Sequence, residues 1–329
     1  MSAMRRARLT CLIVLLAFIG AGAPSSDAAV DQGYNSVHDP SMIKQGRTYY
    51  VFSTGGGLTI TSSTNLITWQ YVGTVFDSIP TWVSDAVGPL TDLWAPDISY
   101  WRGLYHLYYA GSQFGTNTSV IGLATNLTLD PSSPRYHWTD RGLVLASNTS
   151  DDWNAIDPNL TIDTKGVPWL AFGSFWTGIK MRRIDPAIGK PAKQDKTLYS
   201  LAYRPDSNAI EAPFVIYRKP YYYLFASFDF CCRGADSTYN IRVGRSGHIV
   251  GPYSDRAGRP MSDGGGTLIL AGRGRYRGPG GESVVNDGGR FLLVHHFYDA
   301  DNNGISLLQI NPLSWSKDGW PKVEAPLAP

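Results

Sequence analysis

The chain has 329 residues, with 29 Lys and Arg against 27 Asp and Glu, and only 17% of its residues are charged. That near-balance argues against nucleic acid or anionic lipid as a partner, and one adjacent pair, Cys231-Cys232, beyond Cys11 leaves no zinc-type spacing. Abundant Gly, Pro and Tyr instead suit many short strands joined by tight turns.

In chain order, residues 1–29 read as a secretory signal peptide: a basic start (Arg5, Arg6, Arg8), an apolar run from Leu9 to Gly20, and small-residue cleavage sites at Ala21-Gly22-Ala23 or Ser26-Asp27-Ala28. The run is too short for a membrane span, and Pro24 follows at once. The remaining chain, 30–329, carries 26 basic and 26 acidic side chains and has no Ser/Gly/Pro-rich linker dividing it. It is expected to be secreted, soluble and monomeric, with no nucleic-acid or membrane partner. In an oxidising compartment Cys231 and Cys232 could close a vicinal disulfide or remain two buried thiols.

A proline-marked strand pair recurs along this domain. It reads VHDPSMIKQGRTYYVFST from Val37, LWAPDISYWRGLYHLYYAGS from Leu93, NAIDPNLTIDTKGVPWLAFGSF from Asn154 and AIEAPFVIYRKPYYYLFASF from Ala209. A degenerate fifth copy begins at Gly278. The marking prolines are Pro40, Pro96, Pro158, Pro213 and Pro279, a period of roughly 55 to 66 residues, one repeat per four-stranded propeller blade. Further strands are expected at Leu58 to Ser62, Trp69 to Val75, Ser119 to Ala124, Leu143 to Ala146, Ile179 to Ile184, Thr197 to Tyr203, Tyr239 to Arg245, Thr267 to Ala271, Phe291 to His296 and Ile305 to Ile310. Turns such as Gln45-Gly46, Arg102-Gly103 and Lys165-Gly166 separate the first two strands of a blade. The expected fold is therefore all-β, a single five-bladed β-propeller from about Val37 onward, with no helix beyond short turns.

Several copies put an acid at the same place in the repeat, beside the proline: Asp39, Asp97, Asp157 and Glu211. In a propeller such positions converge on the central axis. Carboxyls crowded there cannot all stay charged, because repulsion and desolvation force protonation onto the least stabilised. One protonated acid beside one carboxylate is what glycoside hydrolysis requires. The same oxygens could instead hold calcium.

These motifs resemble glycoside hydrolase family 43, and within it the endo-1,5-α-L-arabinanases. The matching residues are His38-Asp39-Pro40, Leu93-Trp94-Ala95-Pro96-Asp97, Asn154-Ala155-Ile156-Asp157-Pro158, Ala209-Ile210-Glu211-Ala212-Pro213, Ser227-Phe228-Asp229 ahead of Cys231-Cys232-Arg233-Gly234, and Asp263-Gly264-Gly265-Gly266-Thr267. The resemblance implies Asp39 as general base, Glu211 as general acid and Asp157 as the carboxylate that orients the acid and raises its pKa. It implies inversion at the anomeric carbon, and arabinan, a pectin side chain, as the substrate. It also implies a central calcium on one histidine and waters, with His296 of His296-Phe297-Tyr298-Asp299 as the ligand and His295 the alternative. After Gly278-Pro279-Gly280 the family commonly shows His-Asn, whereas this chain has Gly281-Glu282, an extra acid near the funnel. Trp94, Phe114, Trp176 and Phe228 are candidate sugar platforms, and Asp97 and Asn159 candidate polar contacts in the pocket. An exo-acting or xylan-acting enzyme of the same family, or a non-catalytic sugar-binding propeller, are the competing readings.

Overall fold

Runs of Val, Ile, Tyr and Phe between Gly, Asn and Asp turns fold here as antiparallel strands. The computed structural model describes residues 36–328. Blade one is β1 Ser41–Gln45, β2 Thr48–Ser53, β3 Thr59–Ser63 and β4 Gln70–Thr74. Blade two is β5 Trp94–Trp101, β6 Leu104–Gly111, β7 Ser119–Asn126 and β8 Thr139–Ser147. Blade three has five strands: β9 Asn159–Ile162, β10 Pro168–Phe172, β11 Ile179–Asp185, β12 Lys190–Pro191 and β13 Tyr199–Ala202. Blade four is β14 Ile210–Arg218, β15 Tyr221–Phe228, β16 Asn240–Ser246 and β17 Thr267–Ala271. Blade five is β18 Tyr276–Asp287, β19 Arg290–Asp299, β20 Ile305–Trp315 and β21 Pro321–Val323. Each sheet runs in sequence order except in blade three, where β12 and β13 both pair with β11.

The first strand of every blade touches the first strand of the next, and β1 touches β18, so five sheets close around an axis. This is the five-bladed propeller the repeats predict. The core is five wedges between blades rather than one central mass. One wedge joins blades one and two around Phe52, Leu93 and Tyr109, and another joins two and three around Tyr108 and Phe172. Met181, Leu224 and Phe228 fill the third seam, and Phe225 and Leu293 the fourth. The last wedge, with Val37, Val51, Leu292 and Val294, seals blade five to blade one.

Among the described residues blade one comes from the start and blade five from the end, and Ser36 forms an isolated antiparallel bridge to Leu307 of β20 across that last seam. Polar ties reinforce it. Val37 N–H donates to the Ser306 carbonyl (3.1 Å), while Lys44 Nζ (2.8 Å) and the Tyr49 hydroxyl (2.5 Å) both donate to Asp287.

Three elements depart from the sequence expectation. A two-turn helix, α1 Thr81–Val87, links blades one and two and buries Val83 and Val87 one turn apart. Strands β12 and β21, of two and three residues, are too short to show a period. The expected signal peptide, 1–29, lies outside the described residues.

Because one wedge closes the whole ring, Leu292→Ala should destabilise the propeller by about 2–5 kcal/mol. Calorimetry is expected to show one transition at a lower Tm, not a detached blade melting separately.

Candidate active site

At the mouth of the axis the five blades repeat one backbone feature. Asp39, Ala95, Asp157, Ala212 and Gly281 all have positive φ, between 42° and 57°. The next residue is Pro40, Pro96, Pro158, Pro213 and, in blade five, Glu282. The β5, β14 and β18 registers slip here, making a bulge at the start of the inner strand. A left-handed non-glycine residue costs on the order of 1–2 kcal/mol, and such strain concentrates at functional sites. At Gly281 only glycine fits, because a Cβ would lie 2.5 Å from Asp39 Oδ1.

This register corrects two expectations. Glu282, not Pro279, is the blade-five counterpart of the marking prolines. The four acids also do not occupy one equivalent place: Asp39 and Asp157 precede the proline, Glu211 sits two residues before Pro213, and Asp97 follows Pro96. Strand alternation and the bulge therefore send them to different depths.

Asp39 is held from blades one and five. Thr54 Oγ1 donates to its Oδ2 (2.7 Å) and also accepts from Ala95 N–H (2.9 Å), and His38 Nδ1 lies 2.8 Å from the same oxygen. His38 in turn bonds the Tyr298 hydroxyl through Nε2 (2.6 Å). Burial alone would raise the Asp39 pKa, but the charge and hydrogen bond of His38, with smaller help from His296 and Thr54, outweigh it and hold it at about 2. The His38 pKa is raised: burial opposes its charge, but Asp39 and then Glu211 overcome that.

Glu211, on β14, is buried. Ser174 Oγ donates to its Oε2 (2.5 Å), and the Tyr239 hydroxyl donates to Oε1. Burial, then the Asp39 charge, push it up to about 7 against the pull of the Ser174 bond. Asp157 receives Ala212 N–H (3.0 Å), the residue next to Glu211. It is pushed well above the usual carboxylate range, first by burial and then by the charges of Glu211 and Asp39. Glu282, also buried, accepts from Ser227 Oγ (2.7 Å) and is raised to about 8, chiefly by burial. Asp39, Asp157 and Glu282 line one axial cavity of about 30 Å3, room for roughly one or two waters.

Asp39, Asp157 and Glu211 are thus brought into mutual electrostatic contact at the axis. The Asp157–Glu211 contact exists, but burial rather than Asp157 is what dominates the shift on Glu211.

The other expected contacts are placed unevenly. Asp97 is buried and raised to about 6 by burial, against bonds from Leu160 N–H and Asn159 Nδ2. Asn159 Oδ1 accepts from Val215 N–H and Thr161 Oγ1, so its amide is used up joining blades two, three and four. Phe228 is 1% exposed between the guanidiniums of Arg204 and Arg242 and offers no face to a sugar. Asn159 and Phe228 are structural neighbours of the site rather than its free surface, whereas Asp97 also lines the axial cavity. Trp94 and Trp176 are half-buried, and Phe114 is 83% exposed on the loop after β6. Phe230, not singled out in the sequence, stands 6.0 Å from Phe175.

His296 is the axial member of the histidine pair. Its Nδ1 accepts Asp39 N–H (3.1 Å), and Nε2 is buried without a partner. His295 points the other way, bonding Asn311 Oδ1 through Nε2 (2.9 Å). Burial and the His38 charge depress the His296 pKa, keeping the ring neutral. Nearby, Cys231 and Cys232 form a disulfide, and Cys232 N–H donates to the Tyr298 hydroxyl (2.9 Å).

An axial funnel that holds one carboxyl acidic and raises the pKa of its neighbours suits glycoside hydrolysis. The chain matches Glycosyl hydrolases family 43 over residues 34–321 and belongs to that family. It is 43% identical to an extracellular exo-alpha-(1->5)-L-arabinofuranosidase of Cellvibrio japonicus, covering 96% of this chain and 92% of that protein. It is 45% identical to an extracellular endo-alpha-(1->5)-L-arabinanase of Bacillus subtilis, covering 91% of each. An alpha-L-arabinanase of Cellvibrio cellulosa, solved with arabinohexaose, superposes with a TM-score of 0.86 at 42% identity, covering 88% of this chain and 96% of that one.

The Ser174 bond favours ionised Glu211, so Ser174→Ala should raise the Glu211 pKa. If the proton on Glu211 is needed, wild-type kcat/KM falls as pH rises through about 7. In the variant that alkaline limb should move to higher pH, as a pH–rate profile would show.

Proposed function

We propose that this protein is an arabinan-degrading enzyme that cuts internal α-1,5-L-arabinofuranosyl linkages with inversion. The observation that carries the reading is the split between Asp39, held at about 2, and Glu211, pushed up to about 7. Two carboxyls driven apart in this way read as base and acid. The relatives' named activities on α-1,5-linked arabinan supply the substrate.

In this mechanism Asp39, ionised and oriented by Thr54 and His38, takes a proton from a water as that water attacks the anomeric carbon. Glu211 gives its proton to the departing glycosidic oxygen, and the bond to that oxygen breaks. A carboxylate as acidic as Asp39 is a weak base. An oxocarbenium-like transition state, however, asks little of the base until the bond to the leaving group is largely broken. Asp157 binds the backbone beside Glu211 and so positions the acid, while its own burial keeps it from adding charge. Inversion requires the acid and base to stand roughly 6.5–9.5 Å apart, with the water between them.

Asp39→Ala and Glu211→Ala should each lower turnover on arabinan by about 10²-fold or more. Glu211→Ala should recover part of its rate on an aryl glycoside with a good leaving group, provided the enzyme accepts one, whereas Asp39→Ala should not. NMR of the first-formed product is expected to show the inverted anomer; retention would reject the mechanism. Early release of mixed oligosaccharides from debranched arabinan supports internal cutting. A single short product released from the outset would favour the exo reading, to which the Cellvibrio japonicus relative points.

A hydrated calcium ion on the axis is part of the same proposal. His38, Asp39 and His296 bring potential ligand atoms within 4.8 Å of one another, and the unpartnered His296 Nε2 fits a group the protein itself does not supply. Calcium would supply positive charge that offsets the surrounding carboxyls. With Nδ1 accepting Asp39 N–H, the His296 proton sits on Nε2, which suits donation to a water of the ion's shell. Direct ligation requires that proton to move to Nδ1 and the Asp39 contact to break. His296→Ala should lower the calcium content measured after dialysis, and unchanged content would reject this role. Export through the expected leader 1–29 completes the proposal, in keeping with the two relatives named extracellular.

A further inference from the structure

A second cleft lies at the opposite ends of the same strands. Trp101 closes β5 six residues beyond Ala95, roughly 20 Å along the strand from the catalytic mouth. There the β11–β12 turn, residues 186–189, folds against blade two and encloses about 660 Å3, within the usual range for a ligand pocket. The wall is built rather than draped. The Tyr108 hydroxyl donates to the Gly189 carbonyl (2.8 Å) and Arg102 donates to the Pro186 carbonyl (3.0 Å). A Cβ at Gly189 would meet Leu123 at 2.7 Å, so the turn sits as close as glycine allows.

The lining joins Arg102, Arg141 and Lys190 to the half-buried ring of Trp101 and the exposed Ile188, and it contains no acid. Among the described residues none of the three cations has a carboxylate partner. Arg141 spends only its Nε, on Thr125 Oγ1 (2.9 Å), and Arg102 also covers the Trp101 ring at 5.5 Å. The acids nearest in sequence are engaged elsewhere: Asp185 accepts Ala187 N–H within its own turn, and Asp140 accepts from Trp82, Tyr109 and Gly142. Three uncompensated cations in one cleft are conspicuous in a chain otherwise balanced in charge. An aromatic and aliphatic floor suits the C–H face of a sugar, and guanidinium forks suit carboxylates.

We infer that this cleft is a second carbohydrate site, for an acidic oligosaccharide bearing uronate carboxylates. The choice of a saccharide over other anions rests on membership of a glycoside hydrolase family; the anionic character rests on the cleft alone. Such a site tethers the enzyme to an acidic polysaccharide while the catalytic funnel faces away from the tether.

The test is native affinity electrophoresis and calorimetry at low salt with oligogalacturonate, against neutral dextran and inorganic polyphosphate as controls. Wild type should be retarded by oligogalacturonate and not by dextran. Arg141→Gln with Lys190→Gln should weaken that binding roughly tenfold or more while leaving kcat/KM on short neutral arabino-oligosaccharides unchanged. Trp101→Ala should weaken oligogalacturonate binding without altering any polyphosphate retardation, with a circular-dichroism melt to establish that each variant is folded. No retardation of wild type, an undiminished double variant, or loss of uronate and polyphosphate binding in equal measure in Trp101→Ala would each overturn the inference. Binding that persists in a protein inactive on arabinan would sink the proposed substrate and leave this site standing.

Discussion

Asp39, Asp157, Glu211 and Glu282 surround one axis largely out of water, and they cannot all be charged. The arrangement resolves that conflict unequally. Asp39 receives a charged imidazole and a hydroxyl and stays ionised, whereas burial leaves the other three with little to offset the cost of charge. The division of labour between base and acid follows from which carboxyl was given a cation.

That inequality needs groups from several blades to be fixed against one another. The partners of Asp39 come from the start of blade one, the turn after β2 and strand β19; Glu211 on β14 is met by Ser174 from the loop after β10 and Tyr239 beside β16. Each such pair spans elements that the wedges between blades hold rigid. The bulge at the head of the inner strand aims the carboxyls, and its left-handed residue is tolerable because the following strand and a proline fix the chain on the far side.

Much of this was legible in the sequence because the repeat encodes it. The proline-marked strand pair gives the blade count, and the acids beside the prolines fall at the axis. The Pro279 marker fails for a physical reason: blade five replaces proline with Glu282, so counting by proline lands three residues early. Ser174 and Thr54 carry no signal, since a hydroxyl that tunes a carboxyl looks like any strand-end hydroxyl until the loops fold over, and the matched motifs around Ser227 and Tyr239 do not disclose that these two bond Glu282 and Glu211. Phe228 and Asn159 mislead in the opposite sense. Their types suit a sugar, but strand alternation turns both inward.

The same strands give the two faces of the disc different chemistry. At their starts, bulges and prolines turn acids into a small, dry space where protonation can be controlled. At their ends, hairpin turns of variable length are free to project, as the β11–β12 turn does against blade two, and the charged groups lining that one cleft are cationic. A ring in which every inner strand touches its two neighbours leaves its interior little freedom, so each inner strand is constrained along its length. Its two ends, exposed on opposite faces, can specialise separately: one selects which bond is broken, and the other what the enzyme holds while breaking it.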